Sequence, residues 1–130
     1  MTEKKQVYKC NVCGNIVEVL ENGGGKLVCC NQPMELLKEQ TNETPNEKHV
    51  PVIERTEDGY LIKVGIVEHP MSDGHYIQWI ELIVDGVSYI KNLNPTDKPI
   101  VEFSTPHSRD VIARAYCNLH GFWKSTLAQE

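Results

Sequence analysis

Four of the chain's five cysteines fall within its first thirty residues, as Cys10-x2-Cys13 and the adjacent pair Cys29-Cys30. A segment shorter than about 40 residues rarely buries enough apolar surface to fold without a metal, a disulfide or a partner. Cys-x2-Cys sets two thiolates on one tight loop, half of a tetrahedral four-sulfur site. The other half is a pair of neighbours, not a second Cys-x2-Cys. The expected tetrahedron is therefore distorted, with one sulfur–metal–sulfur angle widened. Distortion suits a redox iron, yet spacing alone leaves iron and zinc both open. A disulfide framework fits poorly, because the cysteine count is odd and a Cys29–Cys30 bridge closes a strained eight-membered ring. Glu3, Lys4, Lys5 and Lys9 interrupt the start of the chain where a secretory leader needs an apolar run. The expected compartment is the reducing cytoplasm, where clustered thiols serve as metal ligands or redox groups.

The 130 residues suffice for a small and a medium domain. Residues 1–38 read as a metal-binding unit built on a hairpin, Ile16–Leu20 against Lys26–Val28 around the turn Asn22-Gly23-Gly24-Gly25. Residues 39–46 are polar and read as a linker. Residues 47–130 form a series of short strands: Val50–Arg55, Tyr60–Ile66, Tyr76–Val84, Val87–Leu93 and Ile100–Thr105. Tyr60, Ile62, Val64 and Ile66 recur with period two, as do Ile80, Leu82 and Val84. Asp58-Gly59, Asp73-Gly74 and Asp85-Gly86 supply turn chemistry for hairpins that need positive φ. The segment 110–116 fits a helix or a strand. The expected class is mainly β, a small metal-binding domain followed by an immunoglobulin-like β-sandwich.

The strand-rich region carries a second constellation. His69 and His75 bound a short loop, Cys117-x2-His120 repeats the spacing that closes round a metal, and His49 follows the linker. Each histidine alone is more simply a solvated or satisfied side chain, and Cys117 alone a small buried hydrophobe. Together, four imidazoles and a thiolate at strand ends point to a nitrogen-rich site, and the thiolate favours a redox metal. A blue-copper site fits less well, since no Met follows His120. His107 has no partner motif and reads as a surface histidine. The net charge of −5 falls wholly in residues 41–130, which argues against phosphate-neutralising nucleic-acid binding. No apolar run approaches the roughly 18 residues of a membrane helix.

The segments Tyr8-Lys-Cys-Asn-Val-Cys-Gly-Asn-Ile-Val-Glu-Val19 and Leu27-Val-Cys-Cys30 resemble a desulforedoxin-type domain. Glu47-Lys-His-Val-Pro-Val-Ile-Glu54, His69-Pro-Met71, His75-Tyr-Ile-Gln-Trp-Ile80 and Ala115-Tyr-Cys-Asn-Leu-His-Gly121 resemble desulfoferrodoxin, the two-iron superoxide reductase family. The resemblance spans about residues 7–124 and implies two mononuclear iron ions. Cys10, Cys13, Cys29 and Cys30 would hold the accessory iron of residues 1–38. His49, His69, His75 and His120 would be equatorial ligands of a catalytic iron in residues 47–130, with Cys117 axial. Glu47 would take the sixth position in the oxidised resting state, and Lys48 would stand beside that position when it is open.

The activity so implied is one-electron reduction of superoxide to hydrogen peroxide, a detoxifying oxidoreductase reaction. A rubredoxin-like electron donor and a homodimer are implied with it, and neither nucleic acid nor membrane is an expected partner. Lys48 would offset the repulsion of an anionic substrate by the acidic unit. A pure electron carrier and a zinc-dependent structural module are the competing classes. They differ in a saturated ligand set for the first and a colourless protein for the second.

Overall fold

The computed structural model describes residues 1–41, 49–65 and 68–127. It divides into two compact units, Met1–Lys38 and Glu39–Glu130. Among the described residues every regular element is a β-strand. No helix among them is long and apolar enough to cross a membrane.

The first unit contains β1 (Val7–Lys9), β2 (Ile16–Glu18), β3 (Val28–Cys29), β4 (Gln32–Pro33) and β5 (Glu35–Leu36). One sheet has the order β2-β1-β5, and β3 pairs with β4. The expected hairpin of Ile16–Leu20 with Lys26–Val28 does not form. Instead β2 pairs with β1, Tyr8 opposite Val17. The nearer partner prevails because a tight loop joins the two strands. Cys10 N donates to Asn15 O at 2.8 Å, and Gly14 N donates to Cys10 O at 3.0 Å. Gly14 supports that loop at φ 85°, a conformation costly for other residues. The buried apolar residues of this unit are Val7, Cys10 and Val19, too few for a self-sufficient core.

The second unit contains β6 (Pro51–Arg55), β7 (Gly59–Val64), β8 (Ile77–Val84), β9 (Val87–Asn92), β10 (Ile100–Ser104), β11 (Val111–Cys117) and β12 (Gly121–Thr126). They form two antiparallel sheets, β10-β7-β6 and β12-β11-β8-β9. This is the strand order of an immunoglobulin-like sandwich, as the turn spacing leads one to expect. The core lies between the sheets and contains Tyr60, Ile62, Val64, Ile77, Ile80, Leu82, Val111, Ala113, Ala115 and Cys117. The ambiguous segment 110–116 is strand. Val111, Ala113, Ala115 and Cys117 are all fully buried, a period of two that sets one face against the core. The strand β12 is an element that periodicity did not reveal.

Two details correct the sequence reading. Of the three Asp-Gly pairs, Asp85-Gly86 alone takes positive φ at both residues, 48° and 80°, in the two-residue loop between Val84 and Val87. Gly59 answers a different need: a Cβ there would stand 1.9 Å from the carbonyl oxygen of Phe103. The expected linker also starts later than 39. Gln40 N donates to Phe122 O at 2.9 Å, and Lys124 N donates to Gln40 O at 2.8 Å, so this segment lies along β12. Residues 42–46 of that linker fall outside the described residues, as do Ile66 and Val67.

On the outer face of the four-stranded sheet, Arg114 and Glu81 are cross-strand neighbours. Arg114 Nε donates to Glu81 Oε1 at 2.7 Å, and its Nη1 reaches Glu39 Oε2 at 3.1 Å. The guanidinium also lies over the Phe122 ring, 5.0 Å from its centroid. Both paired side chains are almost wholly buried, at 3% and 0% exposure. Removing one partner strands a buried charge, which costs about 3–5 kcal/mol, whereas replacing both by apolar groups is often neutral. Arg114→Met should therefore destabilise the sandwich by about that amount in denaturant unfolding followed by Trp fluorescence, and Arg114→Met with Glu81→Leu should recover most of it. A single-variant loss under about 1 kcal/mol would contradict the assignment.

Candidate metal centres

Cys10, Cys13, Cys29 and Cys30 bring their sulfurs within 4.8 Å of one another. Cys10 and Cys13 stand on the tight loop after β1, where Cys13 N donates to Cys10 Sγ at 3.5 Å. The adjacent pair converges through the β3–β4 hairpin. Cys29 pairs with Gln32, so Cys30 and Asn31 form a two-residue loop. Both take left-handed backbone, φ 54° and 60°, the signature of a type I′ turn. That turn swings the Cys30 side chain back beside Cys29. The sulfurs of Cys13 and Cys29 are 3.6 Å apart, those of Cys29 and Cys30 3.9 Å. Four sulfurs bonded at about 2.3 Å to one tetrahedral ion lie about 3.8 Å apart, so the residues fit a metal. The adjacent pair is the wider of the two, the direction expected for a widened angle.

The acidities tell the same story. Hydrogen bonds from the backbone of Cys13, then Val12, hold the Cys10 thiol down to about 6. Cys13, then Cys29 and Cys10, push Cys30 up to about 12, and Cys13 most of all raises Cys29. One thiolate is favoured in the cluster and further ones are resisted, until a cation supplies the balancing charge. Asn15 Nδ2 donates to Cys29 Sγ at 3.8 Å, a contact that spacing did not suggest.

The second centre lies at one end of the sandwich. His49 precedes β6, His69 and His75 stand in the β7–β8 connection, and Cys117 and His120 flank the β11–β12 turn. Their donor atoms lie within 4.8 Å of one another. The imidazoles form a closed ring. Centroid distances are 4.7 Å for His49–His69, 4.7 Å for His69–His75, 4.9 Å for His75–His120 and 4.7 Å for His120–His49. His49 Nε2 and His120 Nδ1 are 3.1 Å apart. Two nitrogens about 2.1 Å from one ion and at right angles lie about 3.0 Å apart. Cys117 is fully buried, and its sulfur is 3.7 Å from His120 Nδ1.

Local backbone chemistry explains these positions. Cys117 pairs with Gly121 across a three-residue loop, and Gly121 takes φ 90°. Left-handed backbone of this kind suits glycine, which has no Cβ to clash. The loop folds His120 back over Cys117. His69 is buried at 1% exposure, with Nδ1 2.7 Å from Pro70 O. A carbonyl only accepts, so Nδ1 carries the proton and Nε2 offers a lone pair. That Nε2 is buried without a hydrogen-bond partner, which suits a metal ligand. Burial, chiefly, lowers the His69 pKa to about 4, which keeps it in the neutral form that binds metals.

All nine proposed ligands are thus gathered into two groups. Glu47 and Lys48 lie outside the described residues. His107 is exposed and turns its Nε2 to the carbonyls of Thr56 and Gly59 at 2.8 and 3.1 Å, in a backbone contact and not a metal group. Two residues of the site escaped the sequence reading. Trp123 stacks on His49, centroids 5.0 Å apart, and its Nε1 donates to His120 O at 3.1 Å. Asn118 stands between Cys117 and His120, and its place inside the Cys-x2-His spacing was the signal available.

The family model for the desulfoferrodoxin N-terminal domain matches residues 2–37, and that for desulfoferrodoxin matches residues 41–126. The chain belongs to the desulfoferrodoxin family. It is 57% identical over 125 residues to the desulfoferrodoxin of Nitratidesulfovibrio vulgaris, covering 96% of this chain and 98% of that one. It is 32% identical to a superoxide reductase of Pyrococcus horikoshii, over 73% of this chain and all of that protein. The crystal structure of the superoxide reductase from Treponema pallidum superposes with a TM-score of 0.78 at 26% identity, covering 92% of this chain and 96% of that one. The desulfoferrodoxin pattern therefore covers both units and both donor groups.

The scarcity of buried apolar residues in the first unit makes its folding depend on metal. Stripping metal from the full chain with acid and chelator should collapse the backbone NMR dispersion of residues 1–38 while core signals such as Ile80 and Leu82 persist. A first unit that stays folded without metal would contradict this dependence.

Proposed function

We propose that the chain is a superoxide reductase: superoxide, one electron and two protons give hydrogen peroxide. The observation that carries this reading is the ring of four imidazoles backed by the buried Cys117 sulfur. A thiolate with four neutral imidazoles suits a redox-active first-row metal better than a structural zinc, which takes four ligands in a closed tetrahedron. When bound, iron supplies the one-electron couple for the substrate. Cys10, Cys13, Cys29 and Cys30 hold the accessory iron in residues 1–38, and residues 47–130 form the catalytic domain.

The roles of the protein groups follow from their charge and, for Glu47 and Lys48, from the family resemblance. Four neutral imidazoles add no charge, and one thiolate offsets part of that of a divalent ion, so the site stays locally cationic. The unit around it is acidic, and Lys48 restores attraction for an anionic substrate at short range. Lys48 would also favour delivery of protons from water to the product. By the family resemblance, Glu47 would be a further carboxylate able to hold the oxidised metal. His69 is held in its ligand tautomer by the Pro70 carbonyl, and the stack of Trp123 on His49 would fix the orientation of that ring. The remaining assignments rest on the family resemblance: a rubredoxin-like electron donor, a homodimer and a cytoplasmic location.

Metal analysis and a visible spectrum of the purified, oxidised protein test this reading together. Two irons for each chain and two distinct absorption systems are expected; zinc in both sites and no colour would overturn it. Cys117→Ser should abolish the thiolate-to-iron absorption of the second centre alone. Lys48→Ala should slow reaction of the reduced protein with superoxide by about 10-fold or more and flatten its ionic-strength dependence, measured after pulsed generation of superoxide. An unchanged bimolecular rate would remove Lys48 from the mechanism.

A further inference from the structure

Asn118 sits between two donors of the second centre, but its side chain reaches the loop that carries a third. Its Oδ1 accepts a hydrogen bond from Tyr76 N at 3.0 Å. Its Nδ2 donates to Gly74 O at 3.1 Å. One carboxamide thus grips the backbone on both sides of His75. The backbone of Asn118 adds a third contact, its N–H donating to Tyr76 O at 3.3 Å.

Within the loop so gripped, Ser72 and His75 also bond to each other. Ser72 N donates to His75 O at 3.0 Å, and His75 N donates to Ser72 O at 3.2 Å. Ser72 Oγ also donates to His75 O at 3.3 Å. These bonds shape the loop without fixing it to the β11–β12 turn. A carboxamide is suited to that connection because it presents one donor end and one acceptor end, and the backbone here asks for both.

We infer that Asn118 is a positioning residue: its carboxamide bridges Gly74 and Tyr76 and so sets where the His75 imidazole stands relative to the Cys117 sulfur. This rests on the reading that His75 and Cys117 share one iron. Groups that orient metal ligands typically change affinity or activity by about 10–100-fold when removed. The consequence here falls on the second centre alone, which makes the four-cysteine centre an internal standard.

Asn118→Asp is the decisive variant. It keeps the shape and the acceptor for Tyr76 N, loses the donor, and turns an oxygen toward Gly74 O. Asn118→Ala removes both ends. Three quantities would be measured on the iron-loaded full chain: loss of the second iron to a chelator, the energy of its thiolate-to-iron band, and its midpoint potential. Both variants should lose the second iron about 10–100-fold faster than the parent and shift the band and the potential, with the first iron unchanged. If Ala proves unstable, Asp carries the comparison by itself. An Asp variant that matches the parent in all three would show that Asn118 merely fills space, and would overturn the inference. A parent protein without iron at the second centre would instead overturn the underlying reading, and this inference with it.

Discussion

Five electron-pair donors crowded at one end of a β-sandwich are the constraint from which the rest follows. Lone pairs within 4.8 Å of one another repel, and a buried nitrogen without a partner is costly. His69 shows this in a single side chain, with one ring nitrogen tied to Pro70 and the other turned inward and unmatched. A cation converts that penalty into binding. The sandwich makes the arrangement possible by placing strand ends from both sheets at the same pole, and its own core carries the cost of holding them there.

The two centres solve the same problem at different scales. In the first unit, metal stands in for a hydrophobic core, and two consecutive left-handed residues bring neighbouring cysteines to one point. In the second, a large apolar core exists independently, and three separate connections each contribute one or two donors to its end. The first centre is therefore bound up with folding, while the second is a site carried by a scaffold. Cys117 joins both aspects in the second unit. It is the last core-facing residue of β11 and also the sulfur behind the imidazole ring.

Much of this was legible in the sequence. Spacing pointed to the four cysteines and to Cys117-x2-His120, while the full set of nine donors came from the family resemblance; the fold brings the donor atoms of all nine into two groups. Period-two alternation marked β7 and β8, whose inward faces line the core, and turn signals bounded the runs that became β6, β9 and β10. The failures have equally physical causes. The first unit has strands of two or three residues, too short for any period, so its pairing was decided by a tight cysteine loop and the expected hairpin was wrong. β12 opens with Gly121-Phe-Trp-Lys, whose pattern reflects stacking on His49 and Phe–Arg packing and not simple alternation. Asp58-Gly59 looked like a positive-φ turn but marks a close approach of two strands. Trp123 and Asn118 support ligands through a ring face and backbone carbonyls, contacts that no spacing rule encodes.

Mössbauer spectroscopy of the reduced protein grown with iron-57 tests the central claim most directly, because it counts iron environments and weighs them. The account predicts two quadrupole doublets of equal area, one with parameters of tetrahedral sulfur coordination and one of a nitrogen-rich, higher-coordinate ferrous ion. A single doublet, or a second component with sulfur-only parameters, would contradict it.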